Sequence, residues 1–161
     1  MRRLEKTIRE IGWTHAVPRL DVDDRVSRAF DEMSRDAHDC VLVTRDGQLA
    51  GIFTSRDFLN RVAAVRADPA QLRLGDVMTE APKTLRPRDP LAFAINWMAL
   101  EGFRNVPIVD DAGQLRGVLT VWDVMRHLEA IFDDIDATPR PTPPHGDTSQ
   151  VMSMIDLGGG S

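Results

Sequence analysis

Cysteine is almost absent from the chain. Cys40 stands alone among 161 residues, which excludes an internal disulfide framework and a cysteine-held metal cluster. It lies in the apolar run CVLV and reads as an inert buried thiol. No apolar run approaches the roughly 18 residues that a membrane-spanning helix needs. The opening MRRLEKTIRE is basic but lacks the apolar stretch of a secretory signal, so a cytoplasmic setting is expected. A basic surplus is missing too. The net charge of −5 and pI near 5.3 argue against nucleic acid or an anionic membrane as partner. The four histidines (15, 38, 127 and 145) have no metal-ligand spacing. There is no G-x-S-x-G, no phosphate loop and no Cys/His pair set for nucleophilic attack, so no enzymatic activity and no catalytic cofactor are expected.

What the chain does contain, it contains twice. Residues 47–57 read GQLAGIFTSRD and residues 113–123 read GQLRGVLTVWD. The pairs Gly47/Gly113, Gln48/Gln114, Leu49/Leu115, Gly51/Gly117, Thr54/Thr120 and Asp57/Asp123 are identical, each 66 residues apart. A constant offset across such different residue types marks a duplicated structural unit. Each copy reads as a buried strand running into a helix. Thr54 and Thr120 are N-cap candidates, and Asp57 and Asp123, three residues on, suit a capping box. A capping box is the commonest use of T-x-x-D. The repetition, with a glycine that lets a ligand approach the backbone, equally suits a polar-ligand site.

In chain order, Leu4, Ile8 and Ile11 share one helical face, and Leu20 and Val22 alternate as in a strand. Asp23 or Asp24 can cap a helix whose apolar face is Val26, Ala29, Phe30 and Met33. CVLVT at 40–44 and Leu49–Phe53 form a hairpin around Asp46-Gly47, and the next helix presents Phe58, Leu59 and Val62. In the second copy, Leu74–Thr79 matches the segment through Trp13 and Thr14 at an offset of 65. Lys83–Arg86 is extended, and Pro90 opens a helix with Leu91, Ala94, Ile95 and Met98 inward. Asn105–Val109 is a strand in which Pro107 marks an irregular or edge position, and a helix follows from Val121 to Phe132. The change of offset from 65 to 66 implies one inserted residue, expected between the second copy's first helix and the following strand. The seven methionines read as core filling, and the acidic pairs at 23–24, 110–111 and 133–134 as solvated turns or helix ends.

Each copy is thus β-α-β-β-α, an α/β (α+β) unit. One of about 55 residues is too small to bury its faces alone, so two are expected to pack face to face. The expected organisation is residues 7–66, residues 67–134 and a proline- and glycine-rich tail, 135–161, read as a linker ending in the apolar patch VMSMIDL.

These elements, with VMTEAPKTL, VPIVDDAGQLRGVLTVWD and CVLVTRDGQLAGIFTSRD, resemble tandem cystathionine-β-synthase-type (CBS) domains, over about residues 7–130. The resemblance implies two motifs related by a pseudo-two-fold axis, frequent homodimers, and two clefts for AMP, ADP, ATP or S-adenosylmethionine. Such ligands regulate an attached or partner protein without being turned over. Carried onto this chain, it makes Asp57 and Asp123 the ribose acceptors, and Thr54 and Thr120 the hydroxyls near ribose or first phosphate. Thr14 and Val17, with Thr79 and Pro82, become the loops lining adenine and ribose. His38 and Arg104 precede the middle strands, where a basic side chain can meet phosphate, and Arg56 is a further phosphate candidate beside Ser55. Each of these three basic side chains reads equally well as a surface charge. Where the first copy has Ser55-Arg56 the second has Val121-Trp122, so unequal clefts are expected, with the Asp57 cleft preferring phosphate. Trp122 can stack on a base or pack at a dimer face. The rival reading is a module that has lost its ligand and works by dimer or partner contacts alone.

Overall fold

The computed structural model describes residues 6–35 and 38–135, with side chains as far as Ile131 in the last helix. Leu4, the end of the last apolar face at Phe132, and the tail from 136 lie outside the described residues or side chains. The first copy runs α1 (Ile8–Ile11), β1 (Arg19–Asp21), α2 (Val26–Arg35), β2 (Cys40–Arg45), β3 (Gln48–Thr54) and α3 (Ser55–Phe58), which continues into a π-helical turn at Leu59–Ala63. The second runs α4 (Leu74–Val77), β4 (Thr79–Glu80), α5 (Leu91–Glu101), β5 (Asn105–Val109), β6 (Leu115–Thr120) and α6 (Val121–Ile135). The compact unit holding both copies ends at Glu129.

β1 pairs parallel with β2, and β2, β3 and β4 follow in antiparallel order. β5 and β6 form the matching hairpin. The second sheet keeps the same plan with less pairing. The expected strand at 83–86 is reduced to one parallel bridge, Leu85 to Ile108, and Thr14 makes an antiparallel bridge to Val118. The two copies therefore exchange their leading segments. β4, from the second copy, closes the first sheet, while Thr14, from the first, closes the second.

The cores follow this exchange. Leu74, Val77 and Met78 are buried with Val26, Val41, Val43 and Phe53 of the first copy. Ile8 is buried with Leu85, Leu91, Val106 and Leu119 of the second. A third cluster, Cys40, Leu42, Ile52, Leu115 and Val118, joins the opposite faces of the two sheets. Alternation along a strand divides these roles: Val41 and Val43 face one core, Cys40 and Leu42 the other. Burial pushes the Cys40 thiol up to about 12, as expected of an inert cysteine.

The ladders correct the position of the insertion. Cys40 lies opposite Thr54 and Asn105 opposite Thr120. The middle strands thus correspond at an offset of 65, and the shift to 66 arises inside the hairpin. The turn there is Asp46-Gly47 in the first copy and Asp111–Gly113 in the second, so the extra residue belongs to the second turn, not to the segment before the strand. A correspondence follows from this: the counterpart of Arg104 is Asp39, not His38.

Two further expectations are corrected. Leu59, read as part of a buried face, is 61% exposed, because the backbone widens into the π-helical turn at that residue. Phe30 is half exposed although it keeps helical spacing with Val26 and Ala29, which are fully buried.

Candidate functional site

Both T-x-x-D turns form capping boxes. At Thr54 the hydroxyl accepts from the Asp57 amide at 3.4 Å, while the Asp57 carboxylate accepts from the Thr54 amide at 2.9 Å and its hydroxyl at 3.0 Å. At Thr120 the matching distances to Asp123 are 3.1, 2.8 and 2.8 Å. Each carboxylate also meets the other copy. Thr79 donates its hydroxyl to Asp57 at 2.9 Å, and Thr14 donates to Asp123 at 3.3 Å. Asp57 and Asp123 are the buried polar or charged residues among those described. Each has a cation near it: Arg61 at 3.6 Å from Asp57, and Arg126 in contact with Asp123. Arg61 also donates to the Val77 carbonyl at 2.9 Å and to that of Met78, tying the exchanged segment to the site.

Gly51 and Gly117 serve this exchange rather than a ligand. A Cβ on Gly51 would lie 2.8 Å from the Thr79 carbonyl oxygen, and one on Gly117 would lie 2.8 Å from the Trp13 ring and overlap the Thr14 carbonyl. The expectation that these glycines admit a ligand is corrected: the other copy's leading segment fills the space.

A cleft of about 550 Å³ opens beside Asp57. The first copy supplies Thr54, Ser55, Arg56 and Asp57, and the second supplies Thr79, Pro82 and Arg104. Lys83, Phe103 and Asp39 line it as well, with Asn60 and Asn105. Among the described residues, the side chains of Arg56 and Arg104 have no hydrogen bond or ion pair, so two guanidinium groups face the cleft uncommitted. The Arg56 guanidinium lies beside Gly102, a left-handed residue at the end of α5. A carboxylate accepting hydroxyls near free guanidinium groups suits a ligand with a diol and an anionic group.

Corresponding positions in the second copy carry different chemistry. Trp122 stands for Arg56 and Pro18 for Lys83, so the turn at Asp123 lacks these two cations, while Arg104 and its counterpart Asp39 both line the first cleft. Trp122 is 62% exposed. Thr14, Thr120 and Asp123 do come together, whereas Val17 packs into the layer between the sheets. His38 does not line the first cleft; its amide donates to the Met33 carbonyl at 3.0 Å.

Lys83, Asp39 and Arg61 were missed by sequence reasoning. A lysine after proline in a loop reads as solvated, yet Lys83 follows Thr79 in the leading segment of the repeat, and that position was the available signal. Among the described residues, no group of His, Cys, Asp or Glu is placed to hold a metal ion, and no helix is long and apolar enough to cross a membrane.

The fold and its paired sites define a tandem-repeat α/β module. The sequence matches the CBS domain family over residues 8–64 and 74–130, and the chain belongs to that family. It is similar to the mitochondrial CBS domain-containing protein CBSX3 of Arabidopsis thaliana, 30% identical over 109 residues, covering 65% of this chain and 52% of that protein. It therefore spans about half the length of that curated relative. Among solved structures it resembles a CBS-domain protein of Agrobacterium tumefaciens, 25% identical with a TM-score of 0.65, covering 74% of this chain and 96% of that one. A CBS domain protein of Pyrobaculum aerophilum, complexed with AMP, matches in fold at a TM-score of 0.69 and 20% identity, covering 80% and 97%.

Proposed function

We propose that the chain is a regulatory module that binds a phosphorylated adenosine ligand (AMP, ADP or ATP) in the Asp57 cleft and signals by conformational change, without chemistry on the ligand. The observation that carries this is the meeting, in one cleft, of a buried hydroxyl-accepting carboxylate with two uncommitted guanidinium groups. The family supports adenosine as the nucleoside, and the relative complexed with AMP supports a nucleotide in this fold. Arg56 and Arg104 supply the positive charge that favours a phosphate over uncharged adenosine or S-adenosylmethionine. Because the cleft draws on both copies, a ligand there favours one arrangement of the copies over others, and that differential affinity is the signal. We further read the module as a homodimer. The exposed Trp122 and Met125 on α6, at 62% and 54%, favour an apolar contact there.

Isothermal titration with AMP, ADP, ATP, S-adenosylmethionine and GTP tests the reading. Expected is binding of an adenine nucleotide at one site per chain, abolished by Asp57→Ala and weakened at least tenfold by Arg56→Ala, the scale of one lost charge-assisted contact. No heat with any of them would favour the ligand-independent interaction module instead.

A further inference from the structure

We propose that Lys83 and Glu101 form a charge latch at the first cleft that sets how many phosphates the ligand carries. The inference rests on the reading of this cleft as a nucleotide site. Three cationic side chains line the cleft, and they are not equivalent. Arg56 and Arg104 have no anionic partner among the described residues. Lys83 is held. Its Nζ donates to both oxygens of Glu101, at 2.5 and 2.7 Å, and lies 5.3 Å from the Trp97 ring centre and 5.7 Å from that of Phe103. Glu101 is the last residue of α5, and Phe103 itself lines the cleft.

This arrangement divides the response to ligand charge. A monophosphate carries a charge near −2, which the two free guanidinium groups can meet without disturbing Lys83, while the Asp39 carboxylate on the same wall disfavours further negative charge. Each added phosphate brings further negative charge that those two groups cannot match. Lys83 is the remaining cation on the wall, and it can answer by turning its ammonium from Glu101 to the ligand. The lysine and glutamate side chains are 47% and 38% exposed, so solvent screening makes their pair cheap to open. The aromatic faces hold the freed ammonium near the cleft rather than releasing it to water. Glu101 acts in the opposite sense. Its carboxylate stays beside the cleft and repels the outer phosphates once Lys83 has left it. Lys83 is thus a specificity-determining residue, and Glu101 is its competitor.

The test is titration of the wild-type chain, Lys83→Ala, Lys83→Arg and Glu101→Gln with AMP and with ATP, reading the ratio of the two dissociation constants. Lys83→Ala is expected to weaken ATP about tenfold, as for one lost charge-assisted contact, and to change AMP less than twofold. Lys83→Arg should retain the wild-type ratio, and Glu101→Gln should tighten ATP more than AMP. Both residues sit on the surface, so unliganded melting temperatures should be unchanged across the series. Equal losses for AMP and ATP in Lys83→Ala, or no preferential gain in Glu101→Gln, would overturn the latch and leave the nucleotide site standing. Failure of the wild-type chain to bind AMP and ATP would overturn the site reading itself, and the latch with it.

Discussion

Leu74→Ala offers a direct test of the exchange of leading segments. Leu74 belongs by sequence to the second copy, but it is fully buried in the core of the first. Its amide donates to the Asp24 carbonyl at 2.9 Å, and the next amide, of Gly75, donates to Val22 at the same distance. Truncating a fully buried leucine costs about 2–5 kcal/mol. With a urea dependence of roughly 2 kcal/mol per molar, a loss near 3 kcal/mol lowers the midpoint by about 1.5 M. The tryptophans make the assay discriminating. Trp13 and Trp97 pack against the other core, around Leu91 and Leu119, and Trp122 is exposed. If each copy folded independently, a change at Leu74 would leave the tryptophan-monitored transition where it was. If the exchanged segments make one cooperative unit, tryptophan fluorescence and far-ultraviolet circular dichroism shift together and coincide. An unmoved fluorescence midpoint alongside a two-step loss of helix signal would refute the coupling.

Gly51→Ala should lower the melting temperature and weaken nucleotide binding together, because its Cβ would meet the Thr79 backbone 2.8 Å away; thermal melts and titration would show both or refute the close-packing argument. Burial pushes the His127 imidazole below its ordinary value of 6.5, Lys6 adds to this, Glu10 opposes it, and its Nε2 has no partner among the described residues. Since the depressed pKa favours the neutral ring in the fold, its contribution to stability is complete above about pH 6.5 and is lost as the pH falls toward the folded value. Urea midpoints should therefore fall more between pH 7.5 and 5.5 for the wild type than for His127→Gln; equal falls would contradict this. Cys40, buried with its thiol pushed up to about 12, should resist a disulfide reagent at pH 8 in the native protein and react on unfolding.

Much of the fold was legible because it is written in local chemistry. The Asp-Gly turn, the alternating CVLV strand and the T-x-x-D caps each depend on residues close in sequence, and each forms. A further signal of this kind, Thr7 with Glu10, builds the capping box of α1, with the Thr7 amide 2.7 Å from the Glu10 carboxylate. The exchange of segments was not legible. The apolar positions of Leu74 and Val77 say that one face is buried, but not in which copy. The extra residue was misplaced for a similar reason: identity across the hairpin reports an offset, and the ladder partners are needed to show where it changes. Asp57 and Asp123 stood out in the sequence because each recurs in a repeat. Lys83 did not, because its role depends on Glu101, Trp97 and Phe103, which the chain brings to it from 14 to 20 residues away.

The duplicated T-x-x-D turn also ties the stability of the fold to the proposed ligand site. In each copy the cap aspartate closes its own helix and accepts a hydroxyl from the other copy's leading segment. That segment fills a core immediately before it reaches the site: Val77 and Met78 are buried, and Thr79 lines the cleft. A ligand that competes for the Asp57 carboxylate therefore pulls on a residue directly joined to the first core. The pseudo-equivalent turn at Asp123 keeps the cap hydrogen bonds but has Trp122 and Pro18 where the first cleft has Arg56 and Lys83. Both copies thus keep the contacts that hold the fold, while Arg56 and Lys83 line the Asp57 cleft.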